Sequence, residues 1–396
     1  MRFSSLLLIA LTGTVVARPQ LKKQEWYPVE QIISRADAPV GNPGSSVFAA
    51  DVEISGRWLA VSESSWSESG DSSASVHLFQ RTSGGARKPW QWRQEVEVDS
   101  ISAFSPGAHP EFPMALRDRE LMVAAPWPGG LSVYGLDRSG KWILTQSIAR
   151  AFEGTVWPNG KILLSDDLLA FPNVGGSLFI FSRNAETGDW QPEREFPRGT
   201  LSNPNDFFLS ENRLALIRRG NGQPAYIEFH EKTPAGTWTA GEAVELFNPG
   251  SFLVSTVNMH AAFDGEVLVV GLGNTDFLGN PTGGSILWRI SREAGEWSVV
   301  DEVEIPLQSS MLAAKDGCIL VHGFTPDMFG NPMFGQAAML DRGFLQRGNI
   351  RAAAGMASLD GARFATSATR MNFLGNTSDE RVTIFRNPWA GWFRRR

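Results

Sequence analysis

The sequence predicts an all-β protein, namely a seven-bladed β-propeller in which an N-terminal strand closes the C-terminal blade. Three observations support this fold class. The 396 residues include 40 Gly, 23 Pro, 14 Trp and 25 Phe, a composition typical of a turn-rich β protein. A strand-and-turn unit recurs seven times, and each end of the chain carries part of one unit.

Each unit begins with a polar turn that leads into an apolar strand, as in Ser55–Arg57 followed by Trp58–Val61. Seven such strands are anchored on Leu59, Leu121, Leu168, Leu214, Val267, Ile319 and Phe364. The six intervals cover the 305 residues between the first and last anchors, so the mean period is about 51 residues. A period of roughly 40 to 55 residues is typical of propeller blades or solenoid turns, and a propeller blade carries four strands.

The strand after each anchor alternates apolar and polar residues, as in Ser75–Phe79 and Ser177–Phe181. The short Gly- or Ser-containing connection before it predicts a hairpin. The sixth copy, Gln336–Leu340, is the weakest. A further strand then begins near an aromatic residue, which is Trp92, Trp142, Trp190, Trp238 or Trp297, with Phe344 in the sixth unit. Helix content is therefore expected to be close to nil.

The two ends of the chain predict how the ring closes. The seventh unit ends at Trp389 and Trp392, with too little chain left for an outer strand. Trp26–Ile33 has the pattern of the missing strand, and we expect it to pair with Val382–Phe385. Closure leaves only short, protected sheet edges, whereas an open stack would expose two. Rings of six or eight blades are the alternatives.

Residues 1–17 are predicted to be a secretory signal peptide. Arg2 precedes a short apolar run, Leu6–Leu11, and the small residues Val15 and Ala17 stand at the −3 and −1 positions of the cleavage site. The alternative is an uncleaved anchor. Residues 18–396 then form a single propeller domain that is secreted, periplasmic or extracellular, with no further apolar run long enough to span a membrane.

The composition also limits which classes of binding partner are expected. Without Arg2, 35 basic and 42 acidic residues remain, so the net charge of the exported chain is about −7. A mildly acidic chain lacks the basic face that nucleic acids and anionic membranes require. Arg394–Arg396 is interpreted as a solvated end, and Cys318 as a buried, inert thiol. We expect a monomer.

One stretch of the first unit resembles a known repeat. Ser46–Val61, followed by Ser75–Arg81 and Trp90, is similar to the FG-GAP repeat of exported bacterial proteins and of the integrin α-chain head. Leu121–Pro126 keeps the Ala-Pro of the second half of that repeat. The resemblance implies a β-propeller used for adhesion or ligand binding.

The resemblance covers most of residues 24–392, but every copy is degenerate. Phe-Gly is nowhere intact at its expected place, and Phe48–Ala49 is nearest to it. Many members of the family bind calcium in the hairpin loop, through a run of alternating Asp and Asn closed by Gly. That run is missing here, so no cofactor is predicted, although a calcium role for Asn274, Asp276 and Asn280 is weighed as one alternative. It offers one carboxylate where about six or more oxygens are needed.

Three successive units carry a matching string in the loop after the anchor strand. The strings are Asp276-Phe277-Leu278-Gly279-Asn280, Asp327-Met328-Phe329-Gly330-Asn331 and Asn372-Phe373-Leu374-Gly375-Asn376. One interpretation is a turn in which Gly adopts a positive φ and Asp or Asn bonds its own backbone. The other is a ligand-binding patch on neighbouring blades, formed by Asp276, Phe277, Asn280, Asp327, Phe329, Asn331, Asn372, Phe373 and Asn376.

A second candidate for binding is Ser62–Ser73, interpreted as the longest hairpin loop. It contains hydroxyl groups, carboxylates and Trp66. It is either a polar excursion with Trp66 folded back on the blade or a recognition loop for a sugar or peptide, with Trp66 as a contact residue.

No catalytic residue and no metal site are predicted. The Gly-x-Ser-x-Gly elbow, the His-Glu-x-x-His sequence and paired cysteines are all missing. Gly271–Asp276 begins like a dinucleotide-binding fingerprint but is interpreted as a hairpin turn. Of the five histidines, His77 and His230 are interpreted as blade-surface residues and His322 as a core imidazole.

The sequence therefore favours an exported binding protein without chemistry of its own, which presents loops on one face to an unknown protein or glycan. Two alternatives stay open. An extracellular polysaccharide hydrolase or lyase requires carboxyl groups with raised pKa values in the central channel. A calcium-dependent adhesin requires a melting temperature that responds to the metal.

Overall fold

The structure, a computed structural model, is almost entirely β. It describes residues 29–38, 45–66, 72–83, 88–101, 112–125, 130–152, 154–156, 158, 160–197, 206–218, 225–246, 259–275, 281–293, 295–315, 317–326, 332–343, 346–351, 357–360, 362–371 and 377–387. These residues form thirty β-strands and one turn of 3-10 helix, Arg35–Asp37, and contain no α-helix.

Seven four-stranded antiparallel sheets make up the blades. Blade 1 consists of β2 (Ser45–Ser55), β3 (Trp58–Trp66), β4 (Ser72–Arg81) and β5 (Trp90–Ile101). Blade 2 consists of β6 (Met114–Arg117), β7 (Glu120–Ala125), β8 (Gly130–Leu136) and β9 (Trp142–Ile148). A small hairpin, β10 (Arg150–Ala151) and β11 (Gly154–Thr155), precedes blade 3, which consists of β12 (Leu163–Leu164), β13 (Leu168–Pro172), β14 (Leu178–Arg183) and β15 (Trp190–Phe196).

The next three blades repeat this order. Blade 4 consists of β16 (Phe207–Ser210), β17 (Arg213–Arg218), β18 (Tyr226–Lys232) and β19 (Trp238–Glu245). Blade 5 consists of β20 (Met259–Phe263), β21 (Val267–Thr275), β22 (Pro281–Glu293) and β23 (Glu296–Ile305). Blade 6 consists of β24 (Gln308–Lys315), β25 (Cys318–Pro326), β26 (Pro332–Asp341) and β27 (Gln346–Arg351).

Blade 7 is built from both ends of the chain. Its strands are β28 (Ala357–Leu359), β29 (Arg363–Met371), β30 (Thr377–Arg386) and, as the outer strand, β1 (Val29–Ser34). In the antiparallel pairing of β1 with β30, Ile32 lies opposite Thr383 and Ile33 lies opposite Val382. The predicted closure of the last blade by the first strand is confirmed for the described part of Trp26–Ile33.

The seven blades form a continuous ring, and the first strand of each blade lies on the inner side of that ring. These first strands contact one another in the order β2, β6, β12, β16, β20, β24 and β28, and β28 contacts β2 again. One buried apolar cluster lies between each pair of neighbouring blades. Because every sheet is covered on both faces, the strands carry apolar residues on both faces, and burial of this surface is the main stabilising contribution.

The Trp residues that begin the outer strands lie in a repeated contact between blades. The Gln94 side chain donates to the Trp142 carbonyl at 2.8 Å and accepts from the Trp142 backbone N–H at 2.9 Å. Gln146 makes the same pair of bonds to Trp190, at 2.8 Å each. Gln31 on β1 makes it to Trp90, so the contact also joins blade 7 to blade 1. We call this pair of bonds the Gln–Trp clamp.

One predicted turn is a strand instead. Gly271–Thr275 belongs to β21, so the prediction of a hairpin turn there is wrong, and Asp276 lies outside the described residues. A Cβ on Gly271 would lie 2.9 Å from Leu287 Cδ2 and 3.2 Å from Ser309 Oγ of the next blade. The glycine therefore serves close packing between blades 5 and 6 rather than a turn.

Candidate functional site

The three matching loop strings lie outside the described residues, but the strands around them are described. β21 and β22, β25 and β26, and β29 and β30 are in each case the second and third strands of their blade, and each pair is antiparallel. The three connections are therefore equivalent, and they occur in successive blades 5, 6 and 7. The expectation that the strings occupy corresponding places on neighbouring blades is consistent with this topology.

The region around Trp66 differs from the prediction. Ser62–Trp66 continues β3 and Ser72–Ser73 belongs to β4, so the predicted loop at Ser62–Ser73 is wrong for these residues. Trp66 pairs with Ser72 across the hairpin, and its side chain lies outside what the structure describes. Ser62, Glu63 and Ser64 follow one another along β3, and all three are buried.

A carboxyl group of the inner ring has an unusual environment. Glu53 lies on β2, and its Oε2 accepts a hydrogen bond of 2.8 Å from Ser358 Oγ on β28 of the neighbouring blade. Ser358 Oγ in turn accepts the backbone N–H of Ile54 at 3.1 Å. Burial and the nearby carboxylate of Asp51 raise the pKa of Glu53 to about 8, against the opposing effect of the Ser358 bond. Glu53 is therefore largely protonated at neutral pH.

The inner strand of blade 1 carries a bulge next to this group. Phe48 pairs with Glu63 and Val52 with Val61, so Ala49, Ala50 and Asp51 stand opposite the single residue Ser62. Ser62 Oγ accepts the Asp51 backbone N–H at 2.7 Å. Ala49 has a φ of 65°, a left-handed conformation that glycine adopts without strain and alanine does not.

A buried ionic cluster lies beside the bulge. His77 Nε2 is 2.6 Å from Glu63 Oε2, and Arg35 Nε donates to Glu63 Oε1 at 2.6 Å. Burial alone would raise the pKa of Glu63, but the His77 hydrogen bond and the charges of His77 and Arg35 outweigh it and lower the pKa below its usual 4.5. Arg35 follows β1, so the cluster ties the closing segment of the ring to blade 1.

The prediction that His77 and His230 lie on the blade surface is wrong. They are 0% and 6% exposed, because both faces of each blade pack against a neighbour and alternation along a strand leaves no solvent face. His230 packs edge-on against Phe196 of blade 3, with ring centres 5.0 Å apart. His322 and Cys318 are buried, as predicted.

A shallow groove of about 530 Å³ lies on the outer wall, between β5 and the next blade. Its lining includes Trp92, Tyr134 and Trp142, together with Arg93, Glu95 and Glu97. On β9, Ile143 and Leu144 are exposed by 43% and 55%. The described residues that line this groove are not among the sequence-predicted binding residues.

Within the described ranges, no group of three or more His, Cys, Asp or Glu side chains is arranged to hold a metal ion. Of the three residues weighed for calcium, Asn274 lies on β21 and its side chain is not described, while Asp276 and Asn280 fall outside the described ranges. Across the same ranges, no helix is long and apolar enough to cross a bilayer.

The strand order, the ring of first strands and the seven interblade cores define a seven-bladed β-propeller. The propeller domain of the trilobed protease from Pyrococcus furiosus, reported to have an open velcro topology, matches with a TM-score of 0.50 and 11% identity, over 86% of this chain and 93% of that one. The WD40 repeats of RRP9 match with a TM-score of 0.49 and 10% identity, over 92% and 100% of the two chains.

A third solved structure, the periplasmic gluconolactonase of Pseudomonas aeruginosa, matches with a TM-score of 0.44 and 15% identity, over 88% and 90% of the two chains. No protein-family model and no curated protein matches the sequence. At these identities the likeness establishes the fold alone. The solved propellers that match this chain include both enzymes and WD40-repeat proteins.

Sequence reasoning missed the polar groups of the inner ring. Glu53 and Asp51 stand two residues apart on a strand, a spacing that places both on one face, but nothing in the sequence indicates that Ser358 lies beside them.

Proposed function

We propose that this protein is an exported binding module, a β-propeller that holds a protein or glycan ligand on the face where the loops between second and third strands emerge. The observation that carries the proposal is the equivalence of the three matching strings, which connect corresponding strands of blades 5, 6 and 7. Loops on a rigid scaffold are the usual location of binding residues. Asp276, Phe277, Asn280, Asp327, Phe329, Asn331, Asn372, Phe373 and Asn376 form the proposed contact surface, and Trp66 ends the corresponding second strand of blade 1.

The predicted signal peptide at residues 1–17 supports export, and the resemblance to FG-GAP repeats supports adhesion or ligand binding. The backbone of Ala49 adds to that resemblance. Its positive φ occurs at the position where the family carries the Gly of Phe-Gly. We propose that the module acts as a monomer and needs no cofactor.

Binding of the mature chain to arrays of glycans and of extracellular proteins tests this function. The test variant carries F277A, F329A and F373A. The matched control carries I143A, L144A and V299A, which remove three exposed apolar side chains from outer strands. We expect the loop variant to lose at least about tenfold in affinity, while the control binds as the parent does. Equal binding by the loop variant and the parent would refute the loop surface.

One observation favours a second function, in which the protein is a hydrolase or lyase that cleaves a polysaccharide in the central channel. Glu53 on the inner ring has a pKa raised to about 8 beside the carboxylate of Asp51, which is the environment of a general acid. A release assay for new reducing ends on a panel of polysaccharides tests it, with E53Q as the variant and E97Q, an exposed residue, as the control. Activity that is lost in E53Q and kept in E97Q would favour the enzyme.

A further inference from the structure

Three of the Trp residues that begin outer strands donate their indole N–H to a glutamate of the preceding blade. The pairs are Trp90 Nε1 with Glu30 at 3.2 Å, Trp190 Nε1 with Glu120 at 3.1 Å and Trp238 Nε1 with Glu193 at 2.5 Å. A basic side chain also binds each glutamate, and these side chains are, in the same order, Arg81, Arg183 and Lys232. Each of the three junctions between blades therefore holds a carboxylate that accepts the indole N–H of its Trp.

Among the described residues, Trp142 at the junction of blades 1 and 2 is without such a carboxylate. Its Nε1 is buried and makes no hydrogen bond within the same part of the chain, although Gln94 clamps its backbone. Trp58 comes directly before the anchor residue of its strand, as Glu120 does in the next blade. The Trp58 ring packs edge-to-face against Trp142, with ring centres 5.3 Å apart. An aromatic ring therefore stands where the next junction has its carboxylate.

The other place for a carboxylate is occupied by an arginine. Glu30 and Glu193 stand at bulges of their outer strands, each directly before the residue that bonds the backbone of the next Trp. Arg93 holds the equivalent place in β5, at a bulge directly before Gln94. Since the bulged glutamate contacts the next Trp in both other cases, this place lies on the side of β5 that faces Trp142. Arg93 and Trp142 both line the outer-wall groove, and Arg93 is exposed, with no ion pair to another described side chain.

This exchange of glutamate for arginine inverts the chemistry of the position. A guanidinium group has N–H donors and no acceptor, so Arg93 cannot accept the indole N–H of Trp142. A carboxylate that enters the groove can accept it, and can also pair with the guanidinium through charge-assisted hydrogen bonds. The groove therefore offers two donors, one of them charged, to the chemical group that the chain itself supplies at the other three junctions.

We propose that this groove binds the acidic side chain of an extended peptide segment from a partner protein. The carboxylate accepts from Trp142 Nε1 and pairs with Arg93. Glu95 and Glu97 also line the groove, and their negative charges repel a second carboxylate. The ligand therefore carries an isolated carboxylate, as a peptide can, whereas a polyuronate carries one on every sugar. The site lies on the outer wall, so it is separate from the proposed loop surface and does not depend on it.

Selection from a library of random hexapeptides displayed on phage tests the proposal, with the immobilised full chain as the target. We expect the selected peptides to share Asp or Glu at one position, without a second acidic residue beside it. A parallel selection on R93E should not give this pattern. R93E places a carboxylate at the bulge, as blades 3 and 7 do, and so fills the site from within the chain.

Fluorescence polarisation then measures the affinity of one selected peptide for the parent and for two variants. W142F keeps the ring and the clamp but removes the indole N–H, and we expect at least about tenfold weaker binding. The matched control is W190F, which removes an indole N–H that Glu120 already accepts. W190F should bind the peptide as the parent does but melt at a lower temperature, whereas W142F should melt close to the parent because no hydrogen bond is lost.

A copy of the peptide with Asn or Gln in place of its acidic residue should also bind at least about tenfold more weakly. Selections without a shared acidic position, or with the same position on R93E, would overturn the proposal, as would equal binding by W142F and the parent. Trigalacturonic acid that binds more tightly than the peptide would overturn the assignment to a peptide. If W142F fails to fold, the R93E selection and the amide copy decide.

Discussion

At the scale of single residues, Glu53 is the clearest departure from ordinary behaviour. Its pKa in the folded protein is raised to about 8, above the usual 4.5. Between about pH 4.5 and pH 8 the folded state therefore keeps a proton on Glu53 that the unfolded state has already released. As the pH rises through that range, the contribution of this group to the free energy of unfolding falls. Above the folded pKa the loss is complete.

We therefore expect E53Q to raise the free energy of unfolding at pH 8 by about 1 to 3 kcal/mol, a range reduced for the partial exposure of the side chain. At pH 4.5 the variant and the parent should be nearly equal. Urea denaturation at both pH values measures the difference, with E97Q as an exposed control. Parallel pH profiles for E53Q and the parent would contradict the assignment.

A second residue-scale prediction concerns Glu211 in the turn between β16 and β17. Its φ is 49°, whereas Gly56, Gly265 and Gly317 take positive φ in the corresponding turns. The Glu211 side chain is exposed, and Ser165 Oγ donates to the backbone carbonyl oxygen of Glu211. E211G therefore removes the backbone strain and keeps that hydrogen bond. We expect a gain of about 0.5 to 1 kcal/mol, seen as a higher melting temperature. The control E195G, on the exposed side of β15, should lower it.

The sequence predicted few of these residue-scale features. Cys318 and His322 were correctly placed in the core because they lie within an apolar strand. His77 was not, because alternation indicates a solvent face only where one side of a sheet is uncovered, and both faces of a blade are covered. Ser358, which bonds Glu53, lies 305 residues further along the chain, and Arg35 and His77 reach Glu63 from other elements, so no local pattern reveals these contacts.

At the scale of elements, the anchor strands are all second strands of their blades, and the Trp-led strands are outer strands, as the repeat predicted. The sequence also contains the regular spacing of the residues that form the Gln–Trp clamp. Gln94 follows Trp90 by four residues and Gln146 follows Trp142 by four, and each Gln clamps the Trp of the next blade. The spacing was visible, but its role requires knowledge of which blades are neighbours.

The clamp gives a prediction for the junction of blades 2 and 3. Q146L removes both bonds to Trp190, a residue that is 2% exposed, and leaves its backbone groups without these partners. We expect the free energy of unfolding to fall by about 1 to 3 kcal/mol. Urea denaturation measures it, and Q191L, at an exposed position on β15, is the matched control. Equal losses in the two variants would show that the clamp contributes nothing specific.

At the scale of the whole molecule, the blade count and the closing strand were predictable because repetition and chain ends are global features of the sequence. The binding surface was predictable only as a set of equivalent loops, since their residues carry no pattern that specifies a ligand. The ring explains how such loops are held. Each blade is fixed on both sides by an apolar core, and β1, Gln31 and Arg35 fix blade 7 to blade 1.

Closure of the ring by β1 is the claim on which the fold, the loop face and the inner-ring sites all depend. Ile32 pairs with Thr383, so the variant I32C/T383C should form a disulfide on mild oxidation, while the native Cys318 is buried. The control I32C/R386C places the second thiol three residues along β30 and on its opposite face. We predict that the first variant cross-links nearly completely and melts at least about 5 °C higher when oxidised than when reduced, and that the control does not cross-link. A folded I32C/T383C protein that stays reduced, or equal cross-linking in the control, would contradict the closed ring.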